Sequence, residues 1–477
     1  MRRRIDTLPG RALGAVLATA ALSGAALAAT AAPATASEGR EGYLGLERGQ
    51  SGTIDLDVRR PGEAVLTATV SAGRADWAVK GRESAVVAAY VDGRHVTDLV
   101  VPSNLPTQRT FALGRLEKGD HELRLVFDER SPAGVPTVEL SRLRVDVSRE
   151  NAEEYDVLAH APILIGRTLP ELGSVWQNAT TDTPLIAWHE ARPAATPGHQ
   201  IVEYSVVWSN EDGGTNSPAL MARWGRTTDI EWFYRVELDE DGERVPGTGV
   251  YQSAGHGTVE FTGEFEGDHP LIQVCTSNNN MCHEISTPAA DRMRFALDTR
   301  ATRPADRSRE HLMDTNPWTY QVMAKEMLRE GQIEAPSNPA TPAVGDQRTY
   351  LWVETTQVTG TAQGPGSLPG LAIGVKLRGD ATVYRSDHSV LGWTIARDVP
   401  AATTVELPAG KTADDVEQLI AIRTPSGAGD NGATLSVKRI GRAFFLTPDY
   451  LPGPSFLAFD SGVQLTPAAP QATLWTR

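Results

Sequence analysis

Residues 228–238 are Thr-Asp-Ile-Glu-Trp-Phe-Tyr-Arg-Val-Glu-Leu, and this stretch decides the fold class. Apolar and polar side chains alternate through it, which is the two-residue period of a half-buried β-strand. The alternation predicts that Ile230 and every second residue after it face one side of a sheet. Asp229 and Glu231 are then predicted to share the opposite side.

Short alternating or apolar runs of this kind occur along the rest of the chain, for example at 121–127 and 138–147. The 44 Gly and 31 Pro residues among 477 give the turn content that many short strands need. We therefore predict an all-β fold. A length of 477 residues corresponds to about three domains of typical size.

Composition shifts divide the chain into three β-rich domains. We place a jelly-roll-like β-sandwich module at 40–148, a central β-rich domain at 156–334 and a second β-sandwich module at 347–477. A polar linker follows the first domain and a Pro-rich linker precedes the third. The one clear helical pattern covers 317–330, where a proline opens the helix and a glycine follows it.

The N-terminus has the features of an export signal. Four arginines and an Ala-rich apolar stretch precede Ala34-Thr35-Ala36, which fits the small-x-small cleavage rule. We predict a signal peptide over 1–36, cleaved near Ala36, and a secreted, extracellular product. The alternative is a membrane anchor, because the apolar stretch is long enough to span a bilayer.

The charge of the chain limits its partners. Its net charge is −15, and removal of the signal peptide takes away a net +3, which leaves −18. Such an acidic protein is poorly suited to nucleic acid or to anionic membranes. No later segment has eighteen consecutive apolar residues, so we expect no stable membrane insertion. We also expect a monomer.

The two cysteines, Cys275 and Cys282, flank a short polar loop. An even number of cysteines in an exported protein predicts one disulfide across this loop. The alternative is a metal site that uses both thiolates and His283, but zinc-binding cysteine pairs usually lie closer together and need a second ligand pair.

Asp229 and Glu231 are the leading catalytic candidates. Strand geometry separates alternate residues by about 7 Å, so two carboxylates at this spacing repel and need water, a cation or arginine partners. Three interpretations stay open: a solvated strand face, a cation site, or a polar groove in which one carboxyl has a raised pKa and acts as an acid or base.

Several residues of the central domain complete the candidate site. His256 lies between two glycines, so we predict an exposed ring and a catalytic role beside the acidic pair. His189, Glu190, Tyr251 and His269 are candidate ligand-binding residues. For each histidine the alternative is an ordinary surface or hydrogen-bonded side chain.

The loop at 209–215 is rich in oxygen ligands and ends in two glycines and a threonine. Calcium takes six to eight oxygen ligands, so Glu211 and Asp212 are candidate calcium ligands, and calcium is the one cofactor that the sequence suggests. A simple hairpin turn explains the same composition.

Residues 200–285 resemble the vacuolar protein sorting-associated family of β-rich proteins. The shared order is a strand, an acidic Gly-containing loop, the strand that begins Thr-Asp-Ile-Glu, a His-Gly turn and a Gly-Asp-His-Pro strand. The resemblance implies that Asp229 and Glu231 match the acidic pair of that family, and that His256 or His269 matches a later histidine. It implies a type of domain and not a reaction.

The N-terminal module resembles the jelly-roll modules of secreted carbohydrate-active enzymes, with a Lys-Gly-Asp turn at 118–120 before a long strand. Two functions follow as hypotheses. The first is a secreted multi-module protein that binds extracellular or cell-wall glycans through exposed aromatics, with Trp77 and Trp393 as candidates and burial in the core as the alternative for each.

The second hypothesis is a polysaccharide-active hydrolase or lyase with its site in the central domain. The chain has no H-E-x-x-H, G-x-S-x-G or phosphate-loop motif, so no mechanism is explicit. An enzyme should bring Asp229, Glu231 and at least one of the candidate histidines into one site, whereas a binding protein need not.

Overall fold

The computed structural model describes residues 42–173, 175–211 and 215–477. The predicted signal peptide lies outside these residues. Strands make up 45% of the structure and helices 11%, so the predicted all-β fold is confirmed. Within the described ranges, no helix is both long enough and apolar enough to cross a membrane.

The helices are α1 (Tyr155–Ala159), α2 (Ser217–Trp224), α3 (His311–Thr315) and α4 (Trp318–Arg329). The strands are β1 (Gly42–Glu47), β2 (Ser51–Val58), β3 (Gly62–Gly73), β4 (Ala85–Val91), β5 (Arg94–Val101), β6 (Thr107–Leu116), β7 (Gly119–Phe127), β8 (Thr137–Ser148), β9 (Ile163–Ile165), β10 (Pro184–Pro193), β11 (Gln200–Trp208), β12 (Ile230–Leu238), β13 (Val250–Ser253), β14 (Gly257–Glu260), β15 (Phe265–Glu266), β16 (His269–Val274), β17 (Met281–Cys282), β18 (Arg294–Ala296), β19 (Tyr350–Thr359), β20 (Pro369–Leu377), β21 (Val383–Arg385), β22 (Ala401–Glu406), β23 (Val416–Pro425), β24 (Leu435–Phe444), β25 (Val463–Leu465) and β26 (Gln471–Thr476).

The strands form three pairs of sheets. The N-terminal pair has the orders β1-β8-β3-β6 and β2-β7-β4-β5. The central pair has β10-β11-β12-β13-β14 and β15-β16-β9-β18, with β17 on β16. The C-terminal pair has β22-β19-β24-β25 and β21-β20-β23-β26.

Alternating burial makes these sheets amphipathic. In β7, Leu123, Leu125 and Phe127 are fully buried, whereas the residues between them are partly exposed. They pack in the core of the N-terminal sheet pair. Burial of each such side chain stabilises the fold by about 1.5–3 kcal/mol relative to exposure.

Helix α4 confirms the predicted helix and joins all three sheet pairs. Its buried face shares a core with Trp188 of the central pair and with Trp352 of the C-terminal pair. On the N-terminal pair, Trp77 Nε1 donates a buried hydrogen bond of 3.0 Å to Glu326 Oε2. Trp77 is therefore a core residue and not an exposed glycan-binding aromatic.

The eight-residue helix α2 was not predicted. The Asn216 side chain caps it by accepting from the Ala219 backbone N–H (3.4 Å), Pro218 occupies its first turn, and Gly225 ends it with φ +63°. A Cβ at Gly225 would approach the Thr403 backbone nitrogen to 2.9 Å. This glycine therefore permits both the turn and the close contact with β22.

The simple alternation predicted for β12 is interrupted. Successive residues of β11 pair with Tyr234 and then with Trp232, which leaves Phe233 as a β-bulge. Phe233 and Tyr234 both pack in the central core, whereas Ile230 packs beside α4. Ile230 and Tyr234 therefore face opposite sides of the sheet, although the sequence pattern predicted one side for both.

We expect Glu326→Ala to lower the free energy of unfolding by about 3–5 kcal/mol, because it removes one partner of a buried ion pair. The Glu326 carboxylate is fully buried and, besides the hydrogen bond from Trp77, accepts one of 2.6 Å from its ion-pair partner Arg329 Nη2. The matched control is Glu330→Ala, one turn further on, whose contact with Arg329 is 3.4 Å and partly exposed. Urea denaturation should show a loss under about 1 kcal/mol for the control. Equal losses in the two variants would contradict this role for Glu326.

Candidate functional site

The bulge in β12 sets the direction of the acidic pair. Because the strand changes phase at Phe233, Asp229 and Glu231 face the same side of the sheet as Tyr234. That side is covered by the loop between Cys275 and Cys282. The predicted disulfide is present, with a Cα–Cα distance of 6.1 Å.

Asn279, in this disulfide loop, holds Asp229 in place. Asp229 is 3% exposed, and its Oδ2 accepts a hydrogen bond of 3.2 Å from Asn279 Nδ2. The same amide nitrogen donates to Asp182 Oδ1 at 3.1 Å. The amide oxygen of Asn279 is buried and has no hydrogen-bond partner among the described residues. Asn279 adopts φ +50°, a left-handed conformation that asparagine tolerates better than most residues.

Burial raises the pKa of Asp229 well above that of an ordinary aspartate, and the nearby Glu231 and Glu211 carboxyls raise it further. Arg226 and the Asn279 hydrogen bond act in the opposite direction and do not cancel the shift. Asp229 therefore keeps its proton to a higher pH than an exposed aspartate. This is the environment that the acid–base interpretation of the pair required.

Glu211 belongs to the same group of carboxyls, which we call the acidic cluster (Glu211, Asp229 and Glu231). Its Oε1 accepts a 2.8 Å hydrogen bond from the Thr215 backbone N–H. Burial raises the pKa of Glu211, and Glu231 contributes to the increase. The Glu231 carboxyl thus makes ionisation of both Asp229 and Glu211 less favourable.

His256 lies at the exposed side of the acidic cluster. Its Nδ1 is 3.9 Å from Glu231 Oε1 and accepts a 3.0 Å hydrogen bond from Gln252 Nε2. The side chain is 54% exposed, against 20% for Glu231, and the residue has φ +60° beside Gly255. The predicted exposure of the ring is confirmed. The structure therefore brings four of the sequence-derived candidates together: Glu211, Asp229, Glu231 and His256.

Two buried ion pairs behind the cluster were missed by the sequence analysis. Arg226 Nε donates to Glu310 Oε1 at 3.0 Å, and Arg167 Nη1 donates to Asp182 Oδ2 at 2.5 Å. Buried ion pairs need good geometry to offset desolvation, and they fix the backbone that carries them. In the sequence, the only visible sign of these buried partners is the run of three asparagines between Cys275 and Cys282.

Two of the predicted ligand-binding residues, His189 and Glu190, lie elsewhere on β10. His189 Nδ1 donates to the Thr299 carbonyl at 2.7 Å. Glu190 forms an ion pair with Arg303. Both side chains attach β10 to the segment after β18, and neither has a contact with the acidic cluster.

Tyr251 and His269 are also separate from the cluster. Tyr251 is buried against the edge of His283, with 5.4 Å between ring centroids. His269 is buried, donates from Nδ1 to the Ala161 carbonyl (2.9 Å), and places Nε2 at 3.4 Å from Glu63 of the N-terminal sheet pair. His269 therefore connects two sheet pairs.

The calcium hypothesis keeps one described ligand, Glu211, because Asp212 lies outside the described residues. Within the described ranges, no group of three or more His, Cys, Asp or Glu side chains is arranged to hold a metal ion. Calcium at this loop stays a prediction.

No family model and no curated protein matches this chain. Partial structural matches include a sugar-binding protein, the EclA C-terminal domain, with 15% identity over 27% of this chain and 89% of that chain, at a TM-score of 0.17. CBM35 from Cellvibrio japonicus Abf62 matches with 13% identity over 22% and 72%, at 0.15. A ruminal GH26 endo-β-1,4-mannanase matches with 18% identity over 22% of this chain and only 19% of its own, at 0.15. TM-scores of this size do not establish a common fold.

We expect Asp229→Asn to stabilise the protein at neutral pH. A carboxyl whose pKa is raised in the folded state stabilises below its unfolded value of 3.8, and this contribution is lost as the pH rises through the folded pKa. The variant should therefore match wild type near pH 3.5 and exceed it increasingly above that, by about 1.4 kcal/mol per unit of pKa shift. Urea denaturation from pH 3.5 to 8 measures this, with the exposed Glu240→Gln as control. A wild-type curve parallel to that of Asp229→Asn would refute the raised pKa.

The disulfide should support the acidic cluster through its loop. Loop closure over eight residues contributes about 2.5 kcal/mol, so a double serine variant of Cys275 and Cys282 should lose about that much stability. Asn279→Ala, which keeps the disulfide, should lose about 1–3 kcal/mol because it strips a buried carboxyl of its hydrogen bond. Thermal unfolding of the three proteins tests this. A double serine variant as stable as wild type would show that the loop is not held by its disulfide.

Proposed function

We propose that this protein binds extracellular or cell-wall glycans, and that the acidic cluster with His256 is the site that contacts the sugar. One observation carries the proposal. Three carboxyls and a half-exposed histidine converge at one end of the central sheet, next to a loop that is closed by a disulfide and contacts Asp229 through Asn279.

The chemistry of the cluster favours a ligand that donates hydrogen bonds. Carboxylates act only as acceptors when ionised, and sugar hydroxyls are donors that two oxygens can hold together. The exported chain carries −18 charges, which disfavours nucleic acid and other polyanions at this acidic surface. A hydroxyl-rich neutral glycan meets both conditions.

Exposure divides the cluster into contact and supporting groups. Glu231 and His256 are accessible enough to touch a ligand, and Glu211 is partly exposed beside them. Asp229 is buried, so it is not accessible to a ligand. Gln252, nearly buried, orients the His256 ring by its hydrogen bond.

A second contact surface is available on the C-terminal sheet pair. Trp393 is half-buried and packs against the edge of His388, with 6.0 Å between ring centroids. The nearby Leu391 is 61% exposed. Aromatic rings with one accessible face are suited to the apolar face of a sugar ring. Trp393 therefore stays a candidate glycan-binding aromatic, whereas the buried Trp77 does not.

A second function, polysaccharide hydrolysis or lysis, is favoured by one specific observation. The pKa of Asp229 is raised beside Glu231, and a histidine lies within 3.9 Å of the same glutamate. A carboxyl that keeps its proton to higher pH, next to a second carboxyl and a histidine, is a grouping that acid–base catalysis on a glycosidic bond can use. In this version the accessible Glu231 and His256 contact the substrate and transfer protons, and the buried Asp229 lies behind them.

A secreted setting is part of the proposal and fits both functions. The disulfide between Cys275 and Cys282 is the kind of bond that persists in oxidising compartments. Together with the predicted signal peptide, it supports the proposal that the mature chain acts outside the cell. The monomeric state stays a prediction. The resemblance of residues 200–285 to the vacuolar protein sorting-associated family stays a proposal about the domain type.

We expect the mature chain, residues 37–477, to bind a subset of neutral glycans on an array, and Glu231→Gln to weaken that binding at least tenfold. The matched control is Glu190→Gln, a change of the same type outside the cluster. A reducing-sugar assay on the bound polysaccharides separates the two functions, because only an enzyme releases new chain ends. Equal binding by the two variants would contradict a glycan site at the acidic cluster.

A further inference from the structure

A cavity of about 610 Å³ lies where the three sheet pairs meet, away from the acidic cluster. Its walls come from 105–110 of the N-terminal pair, 185–187 and 297–301 of the central pair, 312–321 around α3 and α4, and Leu451 of the C-terminal pair. Its volume is within the range of about 300–1,000 Å³ that small-molecule sites occupy.

A buried cation forms part of the cavity wall. Arg109 is 5% exposed, and its guanidinium lies 4.2 Å from the centroid of the Trp318 ring. Its Nη1 and Nη2 donate to the Val100 and Leu185 carbonyls, each at 3.1 Å. These contacts hold the guanidinium at the junction but supply no negative charge.

Among the described residues, no carboxylate lies within 4.0 Å of the Arg109 guanidinium to form an ion pair with it. Asp298 also lines the cavity, but its carboxylate is already paired with Arg300 at 2.8 Å. Burial alone lowers the pKa of Arg109 to about 9. A buried, uncompensated cation is costly to the fold, and an anion in the cavity would offset that cost.

The remaining walls suit a sugar. Thr107, Asn316 and Gln321 each donate a hydrogen bond to a backbone carbonyl, which leaves their hydroxyl and amide oxygens as acceptors in the wall. These acceptors suit the hydroxyl donors of a sugar, and Trp318 and Leu312 supply apolar surface. A small carboxylic acid without hydroxyls would leave these groups unused.

We propose that this junction cavity binds a sugar that carries a carboxylate, such as a uronic acid residue of a short oligosaccharide, with Arg109 as the carboxylate partner. The guanidinium suits a carboxylate because its donors are arranged in a planar fork. The site is distinct from the acidic cluster, so the inference does not rest on the function proposed there. It assigns acidic sugars to the junction and neutral ones to the cluster.

Isothermal titration calorimetry of the mature chain with digalacturonate tests the proposal, with the neutral galactose disaccharide, a sulfated disaccharide and acetate as comparison ligands. We expect binding of digalacturonate, at least tenfold tighter than that of the neutral disaccharide, and no binding of acetate. Tighter binding of the sulfated disaccharide would overturn the assignment to a carboxylate. Equal binding of the neutral disaccharide would overturn the role of the charge.

Variants locate the binding. Arg109→Met should weaken digalacturonate binding at least tenfold, and Arg109→Lys, which keeps the charge, should recover part of it. Because Arg109 is buried, we add Ala301→Trp, which places a large ring at the exposed rim of the cavity and should abolish binding in a folded protein. Ala195→Trp, at an exposed position that does not line the cavity, is the matched control and should bind as wild type does.

Unchanged digalacturonate binding in Ala301→Trp would overturn the proposal. The same variant also tests whether the junction cavity and the acidic cluster bind different ligands. If Ala301→Trp loses the acidic sugar and retains neutral glycans on the array, each site has its own ligand. Failure of neutral glycan binding in wild type would remove the function proposed for the cluster and leave the junction site standing.

Discussion

The hydrogen bond between Trp77 and Glu326 attaches the N-terminal sheet pair to α4, the helix that packs against the other two pairs. It joins residues 249 positions apart and lies in a fully buried environment. Glu326 belongs to α4, whose other residues pack against Trp188 and Trp352. A single twelve-residue helix therefore serves as a common core element for three β-structures, and the junction cavity lies beside its first turn.

The acidic cluster depends on a different constraint, the fixed loop between the two cysteines. That loop presents Asn279, whose one amide nitrogen is shared by Asp182 and Asp229. An amide donor is an effective support for two carboxyls because it satisfies both without adding charge. The repulsion between the carboxyls of the cluster therefore remains, whereas a lysine or arginine in place of Asn279 would reduce it.

The all-β fold, helix α4 and the disulfide were predictable from the sequence because each rests on local signals: period, capping and cysteine count. The bulge at Phe233 was not, because it appears only when β12 is paired with β11. Helix α2 carries a readable signature in Asn216, Pro218 and Gly225, but its eight residues are too short for a periodic pattern to be decisive. Asp229, Glu231 and His256 were predicted as candidates, whereas their buried partners come from distant segments that only the tertiary fold brings close.

The bulge in β12 divides the strand into two parts, in which the even-numbered residues face opposite sides of the sheet. After Phe233, the strand supplies Tyr234 and its successors to the central core, and their phase is fixed by packing. Before it, the strand directs Glu231 to the acidic cluster on one side and Ile230 to the core beside α4 on the other. A substitution of Glu231 therefore changes the acidic cluster without removing a side chain from the central core.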